Sequence, residues 1–489
     1  MKPSIYMDII NEIERQYPVD EWSVNNVLIW PIIRLDLAMK LHNSGASSAA
    51  APQKKETTVN QMKKVLQSWN RDFTGNKSSH ADNVVFLTHS MMKTKVSGVW
   101  YDRLVDPIAE NLNQFGIHSR ILEYTPNNNF KSPSYHNSTN IQGSLEYLRF
   151  KAKFINLIKN NQVLAEKFDE VNLFLGKYNI RLKPLESYVK YTNLIIILAD
   201  FFKKELIKNN AAIGVLIYYY GPEGMAFNLA CKQIALPSIE IQHGVQGPMH
   251  RAYGRWSKVP ADGYSLLPQY FWCWDQDSAD AIEKWSSKLN IHKAFVGGNP
   301  WVDLWTKQDN VLANRLNQGL PEINPDKRDK VILVTLQTGR EFPSIILEAM
   351  KDSSASWLWL IRLHPNMLED EPNIRKKLGS LPADVKYEID LSTELPLPYL
   401  LKQIDVHVTE WSSTVKEAKE YNKKSVVTHE NGAELFKEEI EENAAVYMEN
   451  AAELISFIDN VCGYETGPAG ISQHEEGYDL VKQIIKQLD

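Results

Sequence analysis

AAIGVLIYYYGPEGMAFNLACKQIALPSIEIQHG, residues 211–244, runs from an apolar stretch through a Gly-Pro loop into a helical segment and back to an apolar stretch. AAIGVLIYYYGPEG reads as strand then loop, GMAFNLACKQIA as a helix, and LPSIEIQHG as strand and loop again. That strand–helix–strand rhythm predicts a parallel sheet wound with helices. The same rhythm lies upstream. VVFLTHS (84–90) has the form of a buried parallel strand leading into a loop, and SGVWYDRLVDPIAENLNQFG of a loop and an amphipathic helix halted by Gly116. SRILEY is the next strand. Between about 140 and 210, LRFKAKFINLIKNNQVLAEKF and TNLIIILADFFKKELIKNN carry long helical periodicity, which marks a helical insertion.

A second series starts near residue 290, with KAFVGGNPW, VILVTLQTGRE, SWLWLIRLHPN, VKYEID, DVHVTEWSS, KSVVTHENG and AAVYM. Each is a short apolar or β-branched run ending in a turn-forming or polar residue. The predicted class is therefore α/β, with two doubly wound Rossmann-type domains and a cleft between them. The boundaries expected are an N-terminal helical segment over 1–42, a linker and helix over 43–81, a first Rossmann-like domain over 82–265, a second over 266–470, and a C-terminal helix over 471–489. NSGASSAAAPQKKETT (43–58) is the clearest linker, and VGGNPW (296–301) resembles a hinge between domains.

Composition narrows the class of protein. The 489 residues exceed one core, and 54 basic against 60 acidic residues give a net charge of −6, which calls for no nucleic acid. The three cysteines (Cys231, Cys273, Cys462) form no CxxC pair, which argues against disulfides and structural zinc and for a reducing compartment. The charged start, MKPSIYMDIINEIERQYPVDEW, is no secretory signal, and NNVLIWPIIRLDLAMKL is too broken by Pro31, Arg34 and Asp36 to span a bilayer. HxH, HExxH, GxGxxG, GxSxG and the P-loop pattern are absent, so no metal and no nicotinamide or flavin cofactor is expected.

In doubly wound sheets ligands bind beyond the carboxyl ends of the strands, which makes strand-end residues the ones to read. In the second domain these are Gln337, Thr338, Gly339 and Arg340 after VILVTL, Arg362, His364 and Pro365 after WLWLI, and Glu410 to Thr414 after DVHVT. Ser412, Ser413 and Thr414 run straight into a helix that carries Glu417. Hydroxyls and free N–H groups at a helix start form an anion site, although Ser and Thr are also ordinary N-caps. Coupled with the His-Pro strand end, phosphate binding is the favoured reading. In the first domain, IEIQHGVQGPMHRAYGRW (239–256) offers His243 at a strand end as first choice for a general base titrating near neutrality. Glu223 in YYYGPEG is the second choice, and Asp102 and Asp106 also follow the first strand. Arg251 and Arg255, beside Tyr253 and Trp256, are candidates for an anionic acceptor. His407, alternating with Val406 and Val408, reads as a buried strand residue.

The series HG (243–244), RLHP (362–365) and TEWSS (409–413) with a following EA (417–418) resembles bacterial glycosyltransferases of the GT-B architecture. Among these it is most similar to capsule and surface-polysaccharide enzymes with cytidine-linked donors: capsule Kdo transferases, bacterial sialyltransferases, and the CDP-glycerol glycerophosphotransferases of teichoic-acid synthesis. The resemblance covers about residues 210–450, and Glu410-Trp411 stand where the last group has Asp-Tyr. It implies an inverting, metal-independent transfer from a nucleotide-activated sugar to a glycan or glycolipid acceptor. His364, Ser412 and Ser413 would meet the donor's phosphate, and Glu417 the ribose or base. The acidic D/E-D/E-G motif of sialyltransferases is matched only loosely by Pro222-Glu223-Gly224 and Ala261-Asp262-Gly263. The expected setting is the cytoplasm, with peripheral membrane or polysaccharide-assembly partners. The rivals are a glycerophosphotransferase, a nucleotide-sugar 2-epimerase and a non-catalytic scaffold of an assembly complex.

Overall fold

The structure, a computed structural model, describes residues 2–43, 83–96, 98–125, 130–158, 160–306, 311–338, 340–461 and 475–486. From residue 44 on, the linker and helix expected over 43–81 lie outside the described residues, as does Gly339. The chain divides into two compact units, one of residues 1–93, 102–299 and 473–489, the other of 94–101 and 300–472.

The first unit opens with α1 (Pro3–Gln16) and α2 (Trp30–Asn43). Between them Ser23–Val24 and Val27–Leu28 pair as a hairpin whose two turn residues, Asn25 and Asn26, have φ of 51° and 65°. Both central residues at positive φ suit the twist of a two-residue hairpin, and asparagine tolerates that conformation. The winding then runs β1 (Val84–His89), α3 (Val105–Gln114), β2 (Ser119–Tyr124) and β3 (Ser138–Asn140). The helical insertion follows as α4 (Gln142–Ile158), α5 (Phe168–Gly176) and α6 (Leu185–Lys208), within the range its periodicity predicts. The rest is β4 (Ile213–Leu216), α7 (Pro222–Gln233), β5 (Ser238–Ile241), β6 (Tyr270–Cys273) and β7 (Lys293–Val296).

The strands lie in the order β7-β6-β5-β4-β1-β2-β3, all parallel. In chain order that is 3-2-1-4-5-6-7, the Rossmann order with a seventh strand, and its switch point falls between β1 and β4. The strands are continuous apolar runs because both faces are covered: all of β4 and the first five residues of β1 are buried. Pro222 starts α7 where a missing N–H does no harm. Gly224 lets this helix close on the strand end, since a Cβ there would sit 2.0 Å from the Tyr218 carbonyl oxygen.

The second unit carries β8 (Lys330–Thr335), β9 (Trp357–Arg362), β10 (Lys386–Glu388), β11 (Val406–Thr409), α8 (Thr414–Glu420), β12 (Lys424–Val427), α9 (Glu430–Leu435) and β13 (Ala445–Tyr447). Its order, β10-β9-β8-β11-β12-β13, is again 3-2-1-4-5-6 and parallel throughout. Successive residues of β8 feed two cores: Ile332 and Val334 pack with Trp359, Val406 and Val408 on one face, and Val331 and Leu333 with Leu360 and Leu400 on the other. The doubly wound α/β class expected from the sequence is present in both units.

Two boundaries are corrected. The sequence reading ends the first domain at 265, but Ile239 pairs with Tyr270 and Tyr270 with Lys293, so β6 and β7 extend the first sheet. The long strandless stretch after β5 reads like a domain end. The division falls instead at 299/300, inside VGGNPW. The final helix, α10 (Glu475–Lys486), belongs to the first unit. Its Tyr478 ring meets Trp272 edge-on at 5.2 Å, and Val481, Ile484 and Ile485 are buried in the same core. No described helix is long and apolar enough to cross a membrane.

Candidate functional site

In the second unit, the predicted residues gather where parallel strands end. Thr338 follows β8 and His364 follows β9, and the His364 Nδ1 lies 2.9 Å from the Thr338 hydroxyl while accepting the Asn366 N–H at 3.1 Å. Accepting at Nδ1 places the proton of the neutral ring on Nε2, which makes that nitrogen a donor. Gln337 is half-buried beside this pair in sequence. After β11 the chain turns through Glu410 and Trp411 to Ser412, whose N–H donates to the Thr409 hydroxyl at 3.2 Å. Ser412 Oγ and Thr414 Oγ1 lie 3.0 Å apart, and Ser413 occupies the cap position of α8 with no side-chain cap bond. Glu417, one turn into α8, is buried at 8% exposure.

Arg362, expected at phosphate, donates through Nη1 to the carbonyls of Ser392 and Leu395, both at 2.7 Å, and so ties down the turn after β10. A side chain at the end of a strand points to one face or the other, and apolar patterning leaves that choice open here. Arg340, one of the strand-end residues of the sequence reading, and His429, which that reading passed over, join the cluster. Arg340 pairs with Glu410 at 3.1 Å and lies 5.1 Å over the Trp411 ring, while His429, after β12, meets Trp411 edge-on at 4.6 Å. Like His364, His429 accepts the N–H two residues on, from Asn431. His89, the last residue of β1, does the same with Met91. A histidine directly after an apolar run, followed by a turn, was the signal available. His407 is fully buried, as read from its alternation.

In the first unit, His243 follows β5 and Tyr218–Tyr220 follow β4. His243 Nε2 lies 3.1 Å from the Tyr220 hydroxyl, and its ring centroid lies 5.6 Å from that of Tyr218. Burial pushes its pKa down to about 4, the Ile217 carbonyl offsetting this only in part and Arg103 adding to it. The expectation of a group titrating near neutrality is therefore corrected: His243 is a neutral imidazole. Its Nδ1 is buried without a well-directed hydrogen bond. Glu223, at the start of α7, is ion-paired with Arg149 of α4, which Glu146 also holds at 2.6 Å. Its charge helps to raise the pKa of the Tyr218 phenol, after burial as the larger cause and against Arg251.

Asp102 and Asp106 are structural in large part. Asp102 caps α3 through the N–H groups of Leu104 and Val105 and accepts the Thr88 hydroxyl at 2.6 Å. Burial raises the Asp106 pKa to about 6 with help from Asp102, although His136, 3.2 Å away, opposes this. Glu240 of β5 is fully buried and held protonated by burial, with Tyr219 N–H and the Tyr253 hydroxyl on one oxygen.

The loop after His243 is clamped by the N-terminal helices, a link that no local pattern reveals. Arg34 of α2 is fully buried and pairs with Glu14 of α1 at 2.9 Å. It donates to the carbonyls of Arg251 and, at 2.8 Å, Gly254, and stacks 4.1 Å over Trp256. Glu14 in turn accepts from Trp30 Nε1 at 2.9 Å and from Ser257 N and Oγ, both at 2.7 Å. Tyr6 donates to the Met249 carbonyl at 3.0 Å. The two acceptor candidates separate here: Arg255 is paired with Asp8 at 2.5 Å, whereas Arg251 has no carboxylate partner among the described residues. Among the described residues no group of three or more His, Cys, Asp or Glu side chains is placed to hold a metal.

No family model matches the chain, and no curated protein matches it. Solved structures similar to it include the Staphylococcus aureus MnaA–UDP co-structure, 13% identical over 83% of this chain and 96% of that one, TM-score 0.48. A Methanocaldococcus jannaschii UDP-GlcNAc 2-epimerase in complex with UDP-GlcNAc and UDP is 14% identical over 82% and 99%, TM-score 0.46. The wall teichoic acid polymerase TagF is 13% identical over 88% and 100%, TM-score 0.44.

Proposed function

We propose that the chain is an inverting, metal-independent glycosyltransferase that takes a nucleotide-activated sugar, with CMP- or CDP-linked donors first in line, to build a bacterial surface polysaccharide. The reading rests on one observation: His364 with Thr338, and Ser412 with Thr414, stand at the carboxyl ends of β9 and β11, flanking the strand β8 at which the winding reverses. An imidazole Nε2–H, hydroxyls and the N–H groups opening α8 are donors suited to the phosphates of a nucleotide. In the first unit, His243 would serve as base to the acceptor hydroxyl, since burial keeps it unprotonated across the physiological range. An anionic substrate group beside it would raise its proton affinity at the moment of transfer. Arg251 would meet the acceptor, and the setting would be the cytoplasmic face of the membrane.

The test is a thermal-shift series with CMP, CDP, UDP, GDP and ADP. A nucleotide that binds only the folded chain raises its melting temperature by mass action. A cytidine nucleotide should give the largest shift, and His364→Ala and Ser412→Ala should abolish it. A shift with UDP or GDP alone would overturn the donor assignment, and a full shift in both variants would overturn the site. Turnover of donor without any acceptor would reassign the chain as a nucleotide-sugar 2-epimerase.

A further inference from the structure

Three phenols of the first unit carry hydroxyls for which the fold has no use. Tyr124 ends β2, Tyr191 lies on α6 and Tyr218 follows β4. None of these hydroxyls has a hydrogen-bond partner among the described residues, although Tyr124 is only 5% exposed and the other two are half-buried. Glu223, 4% exposed, is in the same position: Arg149 holds its Oε1, and its Oε2 has no partner among the described residues. Leaving a buried donor or acceptor unpaired costs about 1–3 kcal/mol, so such groups call for a partner that arrives from outside the fold. They also share one neighbourhood. A Cβ on Gly221 would lie 2.6 Å from the Tyr218 ring and 3.7 Å from Glu223 Oε2, so the bare glycine lets ring and carboxylate close on each other. The Glu223 charge acts on all three phenols and, with burial as the larger cause in each, holds them protonated, so each hydroxyl remains a donor. Arg149 is paired with both Glu146 and Glu223, and Arg251 opposes Glu223 at Tyr218. Two arginines against two glutamates leave no excess charge to select an ion.

We infer that this cluster is a subsite for a sugar ring, with the helical insertion contributing Arg149 and Tyr191 to it. A sugar supplies what the cluster lacks. Its neighbouring hydroxyls can donate to Glu223 Oε2 and accept from the phenols, while its C–H face lies against aromatic rings. The inference deepens the transferase reading and rests on it only for the source of the sugar, acceptor or donor.

The test is saturation-transfer NMR on the full chain with the methyl glycosides of glucose, galactose and N-acetylglucosamine. Cyclohexylmethanol, which has a ring and a single hydroxyl, is the control. At least one glycoside should bind, and cyclohexylmethanol should not. Tyr124→Phe/Tyr218→Phe keeps both rings and removes hydroxyls that hold nothing in the fold. It should melt as the natural chain does and bind that glycoside at least roughly fivefold more weakly. If the double variant melts early, Tyr191→Phe decides in its place. Displacement of the glycoside by UDP-N-acetylglucosamine but not UDP, or by CMP-N-acetylneuraminic acid but not CMP, would assign the site to the donor's sugar. Retention of the glycoside in a chain that the nucleotide stabilises would assign it to the acceptor. A glycoside bound to a chain that no nucleotide stabilises would keep the sugar site and overturn the transferase reading. No glycoside bound, cyclohexylmethanol bound as well, or undiminished binding by the phenylalanine variant would each overturn the inference, whatever the nucleotides do.

Discussion

His407 shows how burial, rather than residue type, sets charge. Its two ring nitrogens lie 2.8 Å from the Thr335 hydroxyl and 2.9 Å from that of Ser425, and burial pushes its pKa down to about 3. The unfolded chain binds a proton near pH 6.5 and the folded chain does not until near pH 3. Stability from this group is thus complete above 6.5 and is lost as the pH falls toward 3, by up to about 1.4 kcal/mol per pH unit. His407→Gln should therefore show a smaller drop in melting temperature between neutral and mildly acid buffer than the natural chain; an equal drop would mean that His407 is not held neutral. His89, His243 and His292, each held near 4, act in the same sense. Asp106, raised to about 6, acts in the opposite one. At this scale the sequence was legible in part. The strand-end positions of His364 and Ser412 follow from apolar runs alone, whereas the enclosure of His243 comes from Tyr218, Tyr220 and an N-terminal clamp that no local pattern contains.

The clamp is the most consequential element. The α1–α2 pair has no place in a doubly wound unit, yet through Glu14 and Arg34 it fixes the backbone between Arg251 and Ser257. Removing one member of a buried ion pair strands the other, at a cost of about 3–5 kcal/mol. Arg34→Met should lose that much in a denaturant titration, and Arg34→Met/Glu14→Met should recover a part of it. A loss under about 1 kcal/mol would show that the loop holds its shape unaided. The helical character of this segment was readable from its apolar residues. Its partner was not, since a buried Arg34 in RLDLAMK has the look of a charge interrupting a hydrophobic run, and only the fold brings the carbonyls of Arg251 and Gly254 to it. The Asn25-Asn26 turn was available as a signal in the sequence and marks the hairpin that pairs with Val163–Leu164 of the insertion.

For the whole molecule, the double winding was legible because parallel strands buried on both faces must be apolar throughout, as IGVL and VVFLT are. The ownership of α10 was not, because an amphipathic helix says that it docks without saying where. Ending the chain at residue 472 should destabilise the first unit, each of Tyr478, Val481, Ile484 and Ile485 contributing about 1.5–3 kcal/mol through burial. Calorimetry should find the loss in the first unit's transition; an unchanged transition would make the helix dispensable. The return of α10 also sets an order of events during synthesis. The 173 residues from 300 to 472 are made after β7 and before the helix that covers Trp272. At ribosomal speed that is a wait of roughly 9–35 seconds. Throughout it the first sheet stands complete in sequence with one apolar patch uncovered, and that patch closes only once α10 has left the ribosome.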